Sequence, residues 1–143
     1  MERARLDLSH PEHQHIQLRL ERDLITWFSS VRPDGRPHLV AVWFLWEDDG
    51  TVLVFSKPDQ KVRNVRERPT VMLALDNTDT GEDVVTIEGQ ATLLPAGEVT
   101  PAMPAYAQKY AEQLKGMGWT PAQMAQTYTQ AIRITPTRFY ESP

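Results

Sequence analysis

The chain has 143 residues, a formal net charge of −4, 41% hydrophobic and 24% charged residues, and no cysteine. This length fits one domain, 1–143, with a core of its own, and the composition is that of a globular protein rather than a disordered one. The lack of cysteine excludes disulfides, thiolate catalysis and cysteine-ligated zinc.

The first half of the chain predicts one helix followed by an antiparallel meander. Ser9 and Glu12 have the spacing of a capping box, and the apolar spacing after them predicts a helix that runs to about Arg22. The apolar period then changes from four to two, which is typical of strands. Turn-forming Pro, Asp and Gly residues separate the strands. The predicted strands are Leu24–Val31, Pro37–Glu47 and Thr51–Ser56.

The second half predicts three more strands and two helices. The strands are Thr70–Asp76, Asp83–Leu94 and Ala131–Tyr140. Gly89 predicts a bulge or a close backbone approach, and Pro136 is a candidate strand break. An apolar stripe from Met103 to Leu114 predicts an amphipathic helix. A second capping box, at Thr120 and Gln123, predicts a helix that runs to about Gln130.

This number of antiparallel strands with few helices favours a small barrel over an open sheet. Both faces of Pro37–Glu47 are apolar, so the core covers one face and something else must cover the other. A homodimer is the simplest cover, and a ligand or a membrane are alternatives.

No apolar run approaches the ~20 residues that cross a bilayer, and the N-terminus lacks the apolar core of a signal peptide. We therefore expect a cytoplasmic protein with no membrane partner.

The segment Phe55–Pro69, FSKPDQKVRNVRERP, is the most basic part of this acidic chain. Five cationic and two acidic side chains give it a net charge of +3. A short basic helix after a strand offers backbone N–H groups and side-chain cations to a phosphate. Helical spacing places Lys57, Lys61 and Asn64 on one polar face, and Val62 and Val65 on a face that can enter the core. The alternative is an ordinary solvated helix.

Several kinds of site lack support in the sequence. His10, His13 and His15 lie on one N-terminal helix with unsuitable metal-ligand spacing, so we predict no metal site, and His38 is expected to be a satisfied strand-edge residue. No nucleophile elbow, P-loop or dinucleotide glycine motif is present, so no catalytic residue is assigned. The net charge argues against nucleic acid as a partner. The basic helix beside the aromatic strand residues Trp43, Phe44 and Trp46 instead suits a planar ligand that carries a phosphate, unless these aromatics belong to the core.

Four segments, in this order and spacing, resemble the pyridoxamine 5'-phosphate oxidase-like superfamily of split β-barrels: Val31–Trp46, Phe55–Pro69, Val71–Asp76 and Thr86–Ala91. The spacing Lys61-x-Arg63-Asn64-Val65-Arg66 and the turn Asp34-Gly35-x-Pro37-His38 look most like the flavin/deazaflavin oxidoreductases that use coenzyme F420. The resemblance implies a mostly β fold with α-helices, a split antiparallel β-barrel of about six strands with flanking helices, of the FMN-binding split-barrel type. It also implies a homodimer with the cofactor at its interface.

The resemblance further implies which residues bind the cofactor. Lys61, with Val62, Arg63 and Asn64, would meet its phosphate. Where family members often have small or basic residues just before this lysine, the chain has Asp59-Gln60, and Lys57 would substitute as a cation. The remaining implied cofactor contacts are Val42 and Trp43 beside the ring, Phe55 and Ser56 along it, and the segment Asp83, Val84 and Val85.

The implied function is that of an oxidoreductase. F420, or FMN as the alternative cofactor, would carry a hydride to an unsaturated small molecule such as an enone or a quinone. The proton donor would be solvent, Tyr106 or Tyr128. The second alternative is a non-catalytic protein that binds or stores flavin, F420 or a haem-like ring. Vitamin B6 chemistry is not expected, because the residues of a pyridoxamine phosphate site are not recognisable.

Overall fold

The computed structural model describes residues 2–141, which form one seven-stranded antiparallel sheet and five helices. The strands are β1 (Ile25–Val31), β2 (Pro37–Trp43), β3 (Leu45–Trp46), β4 (Val52–Ser56), β5 (Thr70–Asp76), β6 (Val84–Leu93) and β7 (Gln130–Glu141). The helices are α1 (Pro11–Arg22), α2 (Gln60–Glu67), α3 (Pro104–Lys109), α4 (Ala111–Met117) and α5 (Pro121–Thr127). Within this part of the chain, no helix has both the length and the apolar character needed to cross a membrane.

The sheet curls into a half-barrel, as the predicted split-barrel fold requires. Its strand order is β2-β1-β5-β6-β7-β4-β3, so β2 and β3 are consecutive in sequence but lie at opposite edges. The prediction of one continuous strand over Pro37–Glu47 is therefore wrong, because the chain leaves one edge of the sheet at Phe44 and joins the other. This crossover brings β2 against β4 without placing the two strands side by side in the hydrogen-bonded sheet. It also accounts for seven strands where about six were expected.

The backbone of Phe44, which belongs to neither strand, is bonded to the helical segment instead. Its N–H donates to the hydroxyl of Tyr110 (2.8 Å), and the Nζ of Lys109 donates to its carbonyl (2.8 Å). The Tyr110 hydroxyl in turn lies 2.7 Å from the carbonyl of Leu24 and 2.9 Å from that of Phe44. Because a buried backbone group without a partner is costly, these contacts stabilise the crossover.

Strand β4 contributes side chains to two clusters of buried residues, one on each of its faces. Val52 and Val54 face a cluster that includes α1, α2 and the inner side chains of β1, β5, β6 and β7. Leu53 and Phe55 face a second cluster with α3, α4 and α5. Both faces of β4 are thus covered, which explains why all five of its residues are buried. This second cluster forms one wall of the candidate site.

Gly89 marks the predicted irregularity in the sheet. The β6–β7 register shifts between Glu88 and Gly89, and Gly89 lies opposite Pro136. A Cβ at Gly89 would lie 2.5 Å from Cγ2 of Ile134, so both the bulge and the close approach are confirmed. The candidate break at Pro136 is wrong, since β7 continues through it and the extra residue is absorbed in the bulge.

The observed helix starts confirm one of the two predicted capping boxes. The box at Thr120 is confirmed, with Gln123 N–H donating to Thr120 Oγ1 (3.1 Å) and Thr120 N–H to Gln123 Oε1 (2.8 Å). The box at Ser9 is wrong, because the Ser9 hydroxyl donates to Asp7 (2.7 Å) and α1 begins after His10 with no side-chain cap. The predicted single helix over Met103–Leu114 breaks at Tyr110 into α3 and α4, and α5 ends at Thr127 because Gln130 already belongs to β7.

Candidate functional site

A cavity of about 400 Å³ lies between the edge strand β2, the end of β4 and the helical segment. Its size is within the range of small-molecule sites. The wall formed by strands consists of Val40, Ala41, Val42, Trp43 and Phe55. The wall formed by the helical segment consists of Tyr106, Met117, Trp119, Met124 and Tyr128. Three charged residues, Lys57, Asp59 and Lys61, complete the lining.

The wall formed by strands includes β2, a strand at one edge of the described sheet. In the described sheet, β2 is hydrogen-bonded to β1 alone, at the end of the strand order. An edge strand presents unpaired backbone N–H and C=O groups along its outer side. Residues from both faces of β2 line the cavity, so the cavity runs along this edge. Val42 and Trp43, predicted to lie beside a cofactor ring, are part of this wall.

Lys61 is the buried cation of the cavity. Only 8% of the residue is exposed, and its Nζ lies 2.8 Å from Ser56 Oγ and 2.7 Å from Asp59 Oδ2. An ammonium group has three N–H donors, so these two contacts leave one that no other residue in the range 2–141 takes up. Ser56, a predicted ligand contact, is fully buried and acts here by holding Lys61. Sequence reasoning noted Asp59 as a departure but did not foresee its ion pair with Lys61.

Lys57 lies at the same cavity in a more exposed position. Its Nζ is 5.6 Å from the centre of the Tyr128 ring, a distance typical of a cation–π contact. Together the two lysines and Asp59 give the cavity a local charge of +1. The site can therefore attract an anionic group without being strongly basic.

The rest of the basic helix α2 serves mainly to anchor the lysine. Val62 and Val65 are buried in the core, as predicted. Asn64 is also fully buried; its Nδ2 donates to Ser30 Oγ (3.0 Å) and its Oδ1 accepts from Gln60 (2.7 Å). Arg63 is exposed and bonded to Gln60 (2.9 Å). Val62, Arg63 and Asn64 therefore lie on the predicted helix but do not line the cavity.

The predicted contact segment Asp83, Val84 and Val85 lies elsewhere in the chain. Asp83 accepts from His15 Nε2 (2.9 Å) and pairs with the buried Arg19 (3.0 Å). The hydrogen bond from His15 lowers the pKa of the Asp83 carboxyl. Val85 is fully buried in the core. Within one chain, the structure does not bring this segment to the cavity.

The aromatic side chains at the helical wall are closely packed. The rings of Trp43 and Tyr110 stack with centres 4.3 Å apart and an angle of 1° between them. Phe55 meets Tyr106 edge to face at 4.9 Å. Tyr106 is fully buried, and its hydroxyl has no hydrogen-bond partner among the described residues. Sequence reasoning considered Tyr106 and Tyr128 only as proton donors and did not predict the helical wall, although the apolar stripe on α3 and α4 was visible.

The histidines form no metal site in the structure. His13 accepts from the backbone of Asp7 (2.7 Å), and His15 bonds Asp83. Within residues 2–141, no three His, Asp or Glu side chains are grouped so that they could hold a metal ion. His38 departs from expectation, because its buried Nδ1 lacks a partner in the described chain. Burial, followed by the charge of Arg32, lowers the pKa of His38.

Comparison with known structures agrees with the fold. An F420 reductase is 25% identical, with coverage of 87% of this chain and 94% of that chain and a TM-score of 0.68. An FAD-binding protein from Mesorhizobium loti is 18% identical, with 88% of each chain covered and a TM-score of 0.63. The haem storage protein HutZ from Vibrio cholerae is also 18% identical, with 96% and 95% covered and a TM-score of 0.63.

None of the curated proteins matches the chain. The model of the pyridoxamine 5'-phosphate oxidase family, by contrast, matches residues 13–142, nearly the whole length. This match includes β2, the basic helix and the helical wall of the cavity. By this match and by its split-barrel fold, the chain belongs to the pyridoxamine 5'-phosphate oxidase family.

Proposed function

We propose that this protein is an F420-dependent oxidoreductase that transfers a hydride between the deazaflavin and an unsaturated small molecule. The observation that carries the proposal is the combination of a buried lysine with aromatic walls in one cavity of about 400 Å³. Lys61 provides a cation for a phosphate, and Trp43 and Phe55 provide apolar surface for a planar ring. The similarity to an F420 reductase supports this choice of cofactor.

The residues present fit a ring cofactor with a phosphate. The free edge of β2 offers backbone donors and acceptors to the polar atoms of a ring. The unused N–H of Lys61 and the ammonium of Lys57 would bind the phosphate, since charge-assisted contacts of this kind are stronger than neutral ones. Val42 would pack beside the ring.

The cations outside the cavity favour F420 over FMN. F420 carries an anionic oligoglutamate tail beyond its phosphate, and FMN does not. Arg63 and Arg66 are exposed on α2, the helix that carries Lys61, and in this proposal they receive such a tail. With FMN these two side chains would have no ligand group to contact. FMN is therefore the alternative cofactor in this proposal.

The chain itself contributes binding, orientation and exclusion of water. The cofactor supplies the hydride when bound, so the reaction demands no dedicated catalytic acid from the protein. Met117, Trp119 and Met124 cover the cavity with apolar surface that keeps water from the ring. Lys61 and β2 fix the two ends of the ligand relative to this cover. An unsaturated substrate of modest size, such as an enone or a quinone, would stack in the space that remains.

A second candidate function is non-catalytic binding or storage of flavin, F420 or haem. The observation that favours it is the lack of an assigned catalytic residue in the cavity, together with the similarity to an FAD-binding protein and to a haem storage protein. For haem, no histidine lies among the residues that line the described cavity. A flavin or F420 is therefore the better ligand under this alternative as well.

We propose that the protein acts as a homodimer with the cofactor at its interface. Large apolar side chains are exposed on the outer face of the sheet: Ile25, Trp27, Leu39 and Met72, with Leu39 60% and Trp27 43% exposed. The strand register places Trp27 beside Ala41, which lines the cavity. Because this apolar face is continuous with the cavity, a second copy that covered it would also reach the ligand.

Fluorescence titration and turnover together test the proposed function. We expect the purified apo-protein to bind F420 more tightly than FMN. With reduced F420, we expect oxidation by at least one member of a panel of enones, quinones and nitro compounds. Tighter binding of FMN would reverse the order of cofactors. Tight binding of F420 without turnover of any compound would favour storage.

A further inference from the structure

Asp59 places a negative charge in the part of the cavity where a phosphate would need cations. The residue lines the cavity, and its side chain is 45% exposed, so its charge acts on any anion that reaches Lys61. Its Oδ2 lies 2.7 Å from the Nζ of Lys61, and its Oδ1 lies 3.2 Å from the Oγ of Ser56. Both carboxylate oxygens are thus held in the same small cluster as the buried lysine.

Few charges act at this end of the cavity. The lining has two cations, Lys57 and Lys61, and one acid, Asp59, so their charges sum to +1. His38 on β2 is a further titratable group here, because both Asp59 and Lys61 act on it. Burial, followed by the charge of Arg32, lowers the pKa of His38. His38 is therefore uncharged at neutral pH and leaves the sum at +1.

A sum of +1 balances one negative charge on a ligand and leaves a second one uncompensated. A phosphodiester carries one negative charge, whereas a phosphate monoester carries nearly two at neutral pH, since its second pKa is about 6. The second charge would be repelled by Asp59 at close range, in a site that is partly closed to water. Lys61 does not offset this charge, because it is only 8% exposed and its ammonium is shared with Asp59.

We propose that Asp59 makes this site selective for a phosphate that carries a single negative charge, which is the charge of a phosphodiester. That the phosphate belongs to a ring cofactor rests on the proposed function, whereas the charge balance around Lys61 does not. F420 carries its tail through its phosphate, which is therefore a diester, and FMN ends in a monoester. Asp59 is thus a residue that determines specificity between these cofactors, independently of any contact with the tail.

The first test compares two ligands that share a ring and differ in phosphate charge. FMN is the monoester, and riboflavin 4',5'-cyclic phosphate is the diester. Fluorescence titration at pH 8 gives the affinity of the wild type and of Asp59→Asn for each ligand. We expect Asp59→Asn to bind FMN about tenfold more tightly than the wild type does and the cyclic phosphate about threefold more tightly, because the repulsion that is removed scales with ligand charge. Equal gains for the two ligands would overturn the inference.

The second test uses pH and needs no substitution. Between pH 8 and pH 5.5 the phosphate of FMN takes up a proton, and that of the cyclic ligand does not. We expect the affinity of the wild type for FMN, divided by that for the cyclic phosphate, to rise by about threefold over this range and to rise less in Asp59→Asn. The cyclic ligand corrects for titration of His38 and of other protein groups. A ratio that stays constant or falls in the wild type would overturn the inference.

Glu67→Gln is the matched control. Glu67 is the last residue of α2, is exposed and lies outside the cavity lining, so its substitution removes the same charge away from the site. We expect it to change the affinity for either ligand less than about twofold. Gains that match those of Asp59→Asn would show that net charge is responsible, and would overturn the inference.

The outcomes separate this inference from the proposed function, which turnover with F420 tests. The expected affinity ratios without any turnover would support the inference while the oxidoreductase proposal fails. Equal gains for the two ligands, with turnover of F420, would overturn the inference while the proposed function stands. Saturable binding of neither ligand, by the wild type or by Asp59→Asn, would also overturn the inference.

Discussion

The Nζ of Lys61 lies 2.7 Å from Oδ2 of Asp59, and both residues line the cavity. The cation that the sequence pattern assigns to a phosphate thus already has a carboxylate partner within the chain. Lys61 is buried, whereas the Asp59 side chain is 45% exposed. Because Asp59 is the more accessible partner, an incoming phosphate can either share Lys61 with it or displace it toward solvent.

Asp59→Asn should therefore strengthen binding of a phosphate-bearing cofactor. The substitution removes a negative charge that competes for Lys61, and we expect affinity for F420 or FMN to rise roughly 3- to 10-fold at low salt, with a smaller gain at high salt. Titration at two salt concentrations measures the effect. Asp34→Asn, which changes an exposed acid paired with Arg36, serves as the control. Weaker binding by Asp59→Asn would mean that the carboxylate is needed to orient Lys61.

Tyr110→Phe should destabilise the fold. The hydroxyl of Tyr110 satisfies the buried backbone of Phe44 at the point where the chain crosses from β2 to β3. Loss of this contact is expected to lower the free energy of unfolding by about 1–3 kcal/mol, measured by urea denaturation. An unchanged free energy would show that Lys109 alone suffices to hold the crossover.

Lys109 should make stability depend on pH in the alkaline range. Burial lowers the pKa of Lys109 from 10.5 to about 8, so between these values the unfolded chain binds more protons than the folded one. Stability contributed by this residue therefore rises as pH increases through that range. We expect the difference in unfolding free energy between the wild type and Lys109→Met to move in favour of the wild type from pH 8 to pH 10. A constant difference would contradict the lowered pKa.

Trp27→Glu should disrupt the proposed homodimer. The side chain is 43% exposed in a single chain and lies between Ala41 and Ala74 of the neighbouring strands. A carboxylate at the centre of an apolar interface would have to be buried without a partner, so the variant is expected to be monomeric in sedimentation experiments. The exposed Leu8 belongs to the N-terminal segment, outside both this face and the cavity lining, and Leu8→Glu should leave the oligomeric state unchanged. A monomeric wild type would exclude the dimer at the concentrations tested.

Local patterns predicted most of the strands and the position of the buried lysine. The period-two runs gave β1, β4 and β5 to within two residues, because each is bounded by turn residues or proline. The spacing of Val62 and Val65 placed one face of α2 in the core, and Lys61 is brought to the cavity by that orientation.

The sequence could not predict features that depend on distant contacts. The break at Phe44 is determined by barrel closure and by Tyr110, which is 66 residues away in the chain. Asn64 has the spacing of a ligand residue, but its partner Ser30 lies on another strand and draws it into the core. Asp83 is likewise held by Arg19 on α1. In each case the residue type was informative, and its partner was not visible in the local pattern.

The most direct test of the cofactor site compares Lys61→Ala with Arg68→Ala. If Lys61 binds the phosphate, its loss should weaken cofactor affinity by roughly 10- to 150-fold, because a charge-assisted contact at a buried position is removed. Arg68 is an exposed cation beside α2, bonded to the carbonyl of Pro33 (3.2 Å), and its loss should change affinity less than about threefold. Fluorescence titration with F420 gives both values. Normal binding by Lys61→Ala, or equal losses in the two variants, would contradict a defined phosphate site at Lys61.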